Sequence, residues 1–369
     1  MTESISKNDK EEVKTFKDLE KKVILENLCC ACGACVAYCE SQSFDVIEMD
    51  RYTPKFKSKE NEDNCTECGL CYYICPQSGT LEDFVAQDLD IEDELGHIAD
   101  ILAAKTTKET IEKVGQDGGI VTTILYYLFE KNLIDAAVVS EHDEELHTIP
   151  KLIFDKEDLL KSAGTRYSIS SQIIPLKDLY NIPLEIQEEK GIYDIDQMRV
   201  AFVGTPCQVK ALRKMQYLNI KPAHVIKYVI SLFCFENFDY STLYETIEKS
   251  KGIKPSDMKK TFIKKNFYIQ KTDDETIEIS IKDLDSAVRS HCKVCDDFTG
   301  RYSDISVGST GAPEDYSVII TRNNIGQKLI DSLLSRHYID QYIHPRDEES
   351  AWKENRKDIF RKMISRKAK

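Results

Sequence analysis

Between Gly118 and Asn132 apolar residues recur at Ile120, Ile124, Leu125 and Leu128, the spacing of one helix face. The run Ala136-Ala137-Val138-Val139 follows at once and predicts a short buried strand. Arg199 to Val203 predicts a second one, ending in Gly204-Thr205-Pro206, after which Gln208 to Leu218 returns to helical spacing. His224 to Phe235 is another long apolar run. Lys260 to Lys282 alternates like a hairpin, with Phe262, Phe267, Tyr268 and Ile269 on one arm and Ile277, Ile279 and Ile281 on the other. Asp304 to Gly308 and Tyr316 to Arg322 predict strands that close a sheet, and Ile325 to His337 a periodic helix. Strand, turn and helix alternate without an internal repeat, which is the texture of an α/β domain.

The front of the chain reads differently. Residues 1 to 25 are charged and poor in apolar positions, a leader that is either mobile or a short docking arm. From Val23 to about Leu81 the sequence is too short for a large apolar core, so an inorganic nucleus would have to organise it. The acids at Glu82, Asp83, Asp88, Asp90 and Glu92-Asp93-Glu94 suggest a linker from residue 82 to about 105. The expected division is a leader (1–25), a small domain (26–90), a larger α/β domain (91–345) and a basic C-terminal helix (346–369). In that helix Trp352, Ile359, Phe360, Met363 and Ile364 stand near helical spacing. It would either pack on its own domain or dock on an acidic partner or membrane surface.

Fifty Lys and Arg against 64 Asp and Glu give a net charge of −14, which lacks the basic footprint of a nucleic-acid binder. No run approaches the ~18 apolar residues of a membrane span, so a cytoplasmic protein is expected. Thirteen cysteines in such a setting are metal ligands or nucleophiles before they are disulfides.

Their spacing decides which. Cys29, Cys32, Cys35 and Cys39, and again Cys65, Cys68, Cys71 and Cys75 before Pro76, repeat the C-x2-C-x2-C-x3-C run of bacterial ferredoxins. In that run three thiolates hold one 4Fe-4S cluster and the fourth reaches the other cluster. Cys29, Cys32, Cys35 and Cys75 would thus take one cluster, and Cys65, Cys68, Cys71 and Cys39 the second. Zinc has no reason to repeat this spacing twice. Gly33 and Gly69 sit where the chain must turn tightly. Cys39 is followed by Glu40 where the usual run has Pro, and Cys30 is extra to the pattern, a packed thiol. Paired clusters carry single electrons, so the remaining residues must supply or consume them.

Cys207, Cys234, Cys292 and Cys295 suffice for one more tetrathiolate site, or are buried structural cysteines. No Gly-x-Gly-x-x-Gly occurs, which disfavours a Rossmann dinucleotide fold. Gln116-Asp117-Gly118-Gly119 precedes a helix, either as an anion-binding N-terminus or as a plain capped turn. Ser162 to Ser168 offers hydroxyls, a guanidinium and an aromatic ring, as a flavin or phosphate contact or a polar loop would. The seven scattered histidines read as surface or core fillers.

Taken in order, Gly115 to Thr122, Ser162 to Tyr167, Val203-Gly204-Thr205-Pro206-Cys207-Gln208, Cys292 to Phe298 and Asp304 to Gly308 resemble the coenzyme F420 hydrogenase/dehydrogenase beta-subunit family, over roughly residues 95 to 335. The resemblance implies FAD held by Gln116, Asp117, Gly118, Gly119, Val121 and Thr122, by Gly164, Thr165, Arg166 and Tyr167, and by Gly204 and Thr205. It implies a third 4Fe-4S cluster on Cys207, Cys234, Cys292 and Cys295, and coenzyme F420 as substrate. Gly308-Ser309-Thr310-Gly311 matches more loosely and receives no ligand. No acid or base is required, so no catalytic residue is assigned. The implied activity is oxidation of reduced coenzyme F420 with electrons leaving to ferredoxin or a larger redox complex, either a membrane dehydrogenase or one like heterodisulfide reductase. The chain would then sit in the cytoplasm or on the cytoplasmic face of such a complex. Two alternatives stand: a ferredoxin-driven flavin reductase of another substrate, and an iron-sulfur relay without catalysis.

Overall fold

The structure, a computed structural model, describes residues 13–345 and 348–367. The N-terminal part is made of short pieces: helices Phe16–Leu19, Ala34–Ser41 and Leu70–Tyr73, and an antiparallel ribbon of β1 (Ile47–Asp50) and β2 (Thr53–Phe56). Gly33 and Gly69 stand immediately before two of these helices with φ of +84° and +79°. A Cβ at Gly69 would lie 2.6 Å from the Lys14 carbonyl, so both the turn and the approach exclude a side chain there.

The leader ends earlier than its charge suggests. Phe16, Leu19 and Val23 are buried in one apolar cluster with Cys35, Cys39 and Cys71, because i, i+3 and i+7 place them on one side of a helical stretch. Residues 1–12 of the expected leader lie outside the described residues. The linker expectation also fails in part. Glu82–Asp88 is a helix whose Val85 is buried, and the acid-rich segment gives way by Asp100 to a sheet strand. The density of acids masked the apolar run Ile101-Leu102-Ala103-Ala104.

Along the rest of the chain come β3 (Asp100–Thr106), β4 (Ala136–His142), β5 (Thr148–Ile153), β6 (Val200–Gly204) and β7 (Ile226–Leu232). Then follow β8 (Met258–Ile263), β9 (Phe267–Lys271) and β10 (Thr276–Ile279), and finally β11 (Ile305–Gly308), β12 (Ser317–Thr321) and β13 (Ile339–Gln341). Eight of them form one mixed sheet in the order β13-β3-β12-β11-β7-β6-β4-β5. β4, β6, β7 and β11 are parallel and follow one another in sequence order across the sheet; β5 and β12 flank them antiparallel, and β3 and β13 extend the sheet beyond β12 through further antiparallel pairings. A doubly wound nucleotide fold reverses at its centre, so the fold is mixed α/β and departs from that pattern.

The expected hairpin over 260–282 is a three-stranded antiparallel sheet, β10-β9-β8, since two polar turns interrupt the alternation. With helix Tyr240–Lys251 it buries its own core, including Phe238, Leu243, Ile247, Phe267 and Ile269. The small N-terminal part and the large sheet share one core: Cys30, Ala34, Tyr38 and Ile74 pack in the same cluster as Phe202, Val209 and Met215. Helix Glu349–Lys367 packs on its own chain, with Phe360 fully buried against Phe233 and Phe298 at ring separations of 5.2 and 6.3 Å.

Candidate functional site

The four parallel strands end together, and their carboxyl ends open into a cavity whose space, counted with its open mouth, is about 1020 Å³. Ligands of open α/β sheets gather at that end of the strands. Val139, Val203, Leu232 and Val307 of β4, β6, β7 and β11 form its base, and the first turn of helix Ile120–Glu130 forms one wall. Of the residues that the resemblance implies, Gln116, Asp117, Gly119, Val121, Thr122, Gly164, Thr165, Arg166, Gly204 and Thr205 line this cavity together. These stretches lie up to about ninety residues apart and meet only because β4 and β6 are neighbours.

Gly118 and Tyr167 lie behind the lining. Gly118 wedges between strands: its N–H donates to Ser317 Oγ at 3.1 Å and its carbonyl accepts from Thr106 N at 2.7 Å. The Tyr167 hydroxyl accepts from Gln116 Nε2 at 3.1 Å and from Ile263 N at 2.9 Å, so it orients Gln116 from outside. Arg166 ties its own loop, donating from Nη1 to the carbonyls of Ser162, Ala163 and Gly164 at 2.6, 2.9 and 2.8 Å. Burial lowers its pKa to about 10, which leaves it a cation. Burial raises the Asp117 carboxyl, with the Ser309 hydroxyl and Lys260 opposing.

Three polar atoms of lining residues are buried without any partner: Gln116 Oε1, Arg166 Nε and Asn237 Oδ1. Orphaned buried groups are rare and call for a ligand, and two acceptors and one donor around an apolar base suit a flavin with its phosphates. Asn237, Gln172 and Ser170 also line the cavity but carried no sequence signal, and Gly308 and Ser309 of the loosely matching loop join them there. Thr205 and Gln208 close a capping box at the start of helix Pro206–Tyr217, with Thr205 N donating to Gln208 Oε1 at 2.8 Å. Cys207 therefore stands in the first turn of a twelve-residue helix, but the neighbouring Cys30 and burial outweigh the helix terminus and push its thiol well up.

Cys234 follows β7, Cys292 lies within the turn Ser290–Val294 and Cys295 caps its end. Cys234, Cys292 and Cys295 each feel the charge of Cys207, so the four thiols share one neighbourhood. This neighbourhood touches the cavity, because Asn237 N donates to Cys292 Sγ at 3.3 Å. Burial pushes the Cys234 thiol up to about 12, and metal binding there must release protons. On the far side the buried Cys30 thiol stands close enough to those of Cys207 and Cys32 to couple electrostatically to both. The extra cysteine of the ferredoxin run is thus a fully buried link between two thiol sets.

The remaining thiols line two small cavities. One is bounded by Cys29, Cys32, Cys35 and Cys75 together with Cys30, the other by Cys39, Cys65, Cys68 and Cys71. Those are the crossed sets that the ferredoxin spacing predicts. Thiolates on one zinc ion would crowd to about 3.8 Å of one another, given a Zn–S distance of ~2.3 Å. Among the described residues no three Cys, His, Asp or Glu converge closely enough to grip a single ion; these sets surround a space instead. Cys68 is exposed at the outer end. Two buried lysines reach the cysteine backbones. Lys214 Nζ donates to Cys75 O at 2.7 Å and Lys367 Nζ to Cys234 O at 2.6 Å. Burial and the charge of Lys210 lower Lys214 to about 8, whereas for Lys367 the anionic character of Cys234, Cys295 and Asp297 outweighs burial and raises it.

Comparison with known proteins follows the same outline. Two family profiles match, the N-terminal part of the coenzyme F420 hydrogenase/dehydrogenase beta subunit over residues 101–177 and its C terminus over residues 197–343. An uncharacterised protein of Methanocaldococcus jannaschii is 33% identical over 354 residues, 89% of this chain and 92% of its own. One of the subunits of the F(420)H(2) dehydrogenase of Methanosarcina mazei is 31% identical over 317 residues, 84% of this chain and 83% of its own. A chain of the F420-reducing nickel-iron hydrogenase complex from Methanosarcina barkeri has the same fold, with a TM-score of 0.64 at 27% identity, covering 75% of this chain and 91% of that chain.

Proposed function

The chain belongs to the coenzyme F420 hydrogenase/dehydrogenase beta-subunit family, and from that premise we propose that it oxidises reduced coenzyme F420 and delivers the electrons singly to a partner. When bound, FAD would convert a hydride into single electrons and 4Fe-4S clusters would carry them. The observation that carries the reading is the succession from the large cavity, through Asn237 to Cys292 and its neighbour Cys207, past the buried Cys30 to Cys32, and on to the outer set with exposed Cys68.

In this reading Gln116, Arg166 and Asn237 bind and orient the flavin, the first turn of helix Ile120–Glu130 faces its phosphates, and Tyr167 holds Gln116 in place. Cys207, Cys234, Cys292 and Cys295 hold the cluster beside it. Cys29, Cys32, Cys35 and Cys75 hold the next, and Cys39, Cys65, Cys68 and Cys71 the outermost. Among the described residues no helix is long and apolar enough to cross a membrane. The partner is therefore ferredoxin or a larger redox complex met in the cytoplasm or at its membrane face, since the similar dehydrogenase and hydrogenase chains are themselves parts of complexes.

The test is anaerobic turnover of reduced coenzyme F420 with a one-electron dye by the protein loaded with FAD and iron. Turnover that vanishes without FAD supports the proposal. A bound flavin and full iron without turnover sinks it in favour of a ferredoxin-driven reductase of another substrate. Full iron with no affinity for flavin leaves the relay.

A further inference from the structure

Two lysines stand buried where the proposed function gives them no role. Lys367, in the last turn of the C-terminal helix, is 5% exposed and donates from Nζ to Cys234 O and, at 2.9 Å, to Asp297 O. Lys214 is fully buried on helix Pro206–Tyr217 and donates to Cys75 O. Among the ion pairs of the described residues none includes Lys367. Lys214 stands 4.0 Å from Glu82 Oε1, which Lys210 holds more closely at 2.7 Å. A buried ammonium is costly unless an anion answers it; carbonyl dipoles answer these two only in part, and so do the nearby carboxylates, since Asp297 is already held by the N–H groups of Gly300 and Arg301 and Glu82 by Lys210. Each lysine touches the backbone of one cysteine in a different four-cysteine set, and neither touches the set of Cys39, Cys65, Cys68 and Cys71.

We infer that these lysines are counter-cations of two iron-sulfur nuclei, Lys367 for the one on Cys207, Cys234, Cys292 and Cys295, and Lys214 for the one on Cys29, Cys32, Cys35 and Cys75. This rests on the cluster assignment proposed above. Four thiolates around a 4Fe-4S core leave a net negative charge that grows by one on reduction, so a nearby fixed cation favours the reduced state and raises the potential. Both are positioning residues: they touch the ligands' backbone and act on the nucleus through charge. The C-terminal helix is thereby more than a packed end, since it carries the charge that sets the potential of the nucleus nearest the flavin cavity.

The experiment is a redox titration of the anaerobic full-length holoprotein followed by electron paramagnetic resonance, comparing Lys367→Gln and Lys214→Gln with the parent. Glutamine keeps a donor near the carbonyl and removes the charge. The expected result is a downward shift of one signal in each variant, a different one in the two, with the outermost nucleus unmoved as internal reference. Loss of one signal alone, with the other two retained, supports the inference equally, because an unanswered anion is then expelled from that site only. Full iron with all three potentials unchanged overturns it, and so does a common shift or common loss of all three. A parent protein without iron would instead defeat the cluster assignment itself and leave no potential to compare.

Discussion

Replacing Gly118 by alanine tests how the cavity loop is held. A Cβ built there would stand 2.5 Å from the Ala104 carbonyl oxygen and 2.7 Å from Ser317 N. Both are backbone atoms of residues paired across β3 and β12, so no flexible side chain can yield. The loop must back away, weakening Gly118 N–H to Ser317 Oγ and Thr106 N–H to Gly118 O. Overpacking of this kind costs about 1–3 kcal/mol and a weakened buried hydrogen bond about 0.5–1.5 kcal/mol. If flavin binding requires the parent loop geometry, from about half to nearly all of that strain returns as lost affinity. At tenfold per ~1.4 kcal/mol, FAD should bind about 3- to 1,000-fold more weakly. The assay is quenching of flavin fluorescence on titration of the apoprotein, with urea unfolding in parallel. Gly191→Ala is the control: its φ is +64° with nothing within 4 Å, so it should lose about 1 kcal/mol of stability and no affinity. A Gly118→Ala protein that binds FAD within twofold of the parent and unfolds at the same urea concentration would refute the reasoning.

Cys29→Ser and Cys75→Ser should remove the same paramagnetic signal, and Cys39→Ser a different one, each costing about a third of the iron. If Cys29→Ser and Cys39→Ser affect one signal, the crossed assignment is wrong. Phe360→Ala empties a fully buried site between Phe233 and Phe298 and should cost about 3–5 kcal/mol in urea unfolding; a loss below ~1 kcal/mol would mean the helix is not docked in solution. His142 is held near pKa 4 by burial and the Arg166 charge, below its ordinary 6.5. The unfolded chain therefore takes up its proton first, and this contribution to stability is lost as pH falls from about 6.5 to 4. His142→Gln should lose less stability than the parent over that window, and parallel pH profiles would contradict it.

The cysteine runs were legible because their information is local: ligand spacing follows from the reach of a few residues around a small inorganic nucleus, whatever the rest of the chain does. The two sets of cysteines lining separate cavities, crossed as expected, follow from that. The helix after Gly119 and the strand before Thr205 were legible for a similar reason, through periodicity and capping. Other features depended on partners far along the chain. Phe16, Leu19 and Val23 read as part of a charged leader until the cluster they complete is in view, and Ile101 to Ala104 read as linker until β12 and β13 pair with it. Asn237 reaches the cavity only because the chain after Cys234 crosses the ends of the parallel strands. Lys214 and Lys367 looked like ordinary basic positions on amphipathic helices. Local sequence specifies which side chains can bind iron or cap a helix, since that chemistry needs only neighbours. Which charge is buried beside which thiol depends on packing between elements some 140 residues apart, and only the tertiary structure decides it.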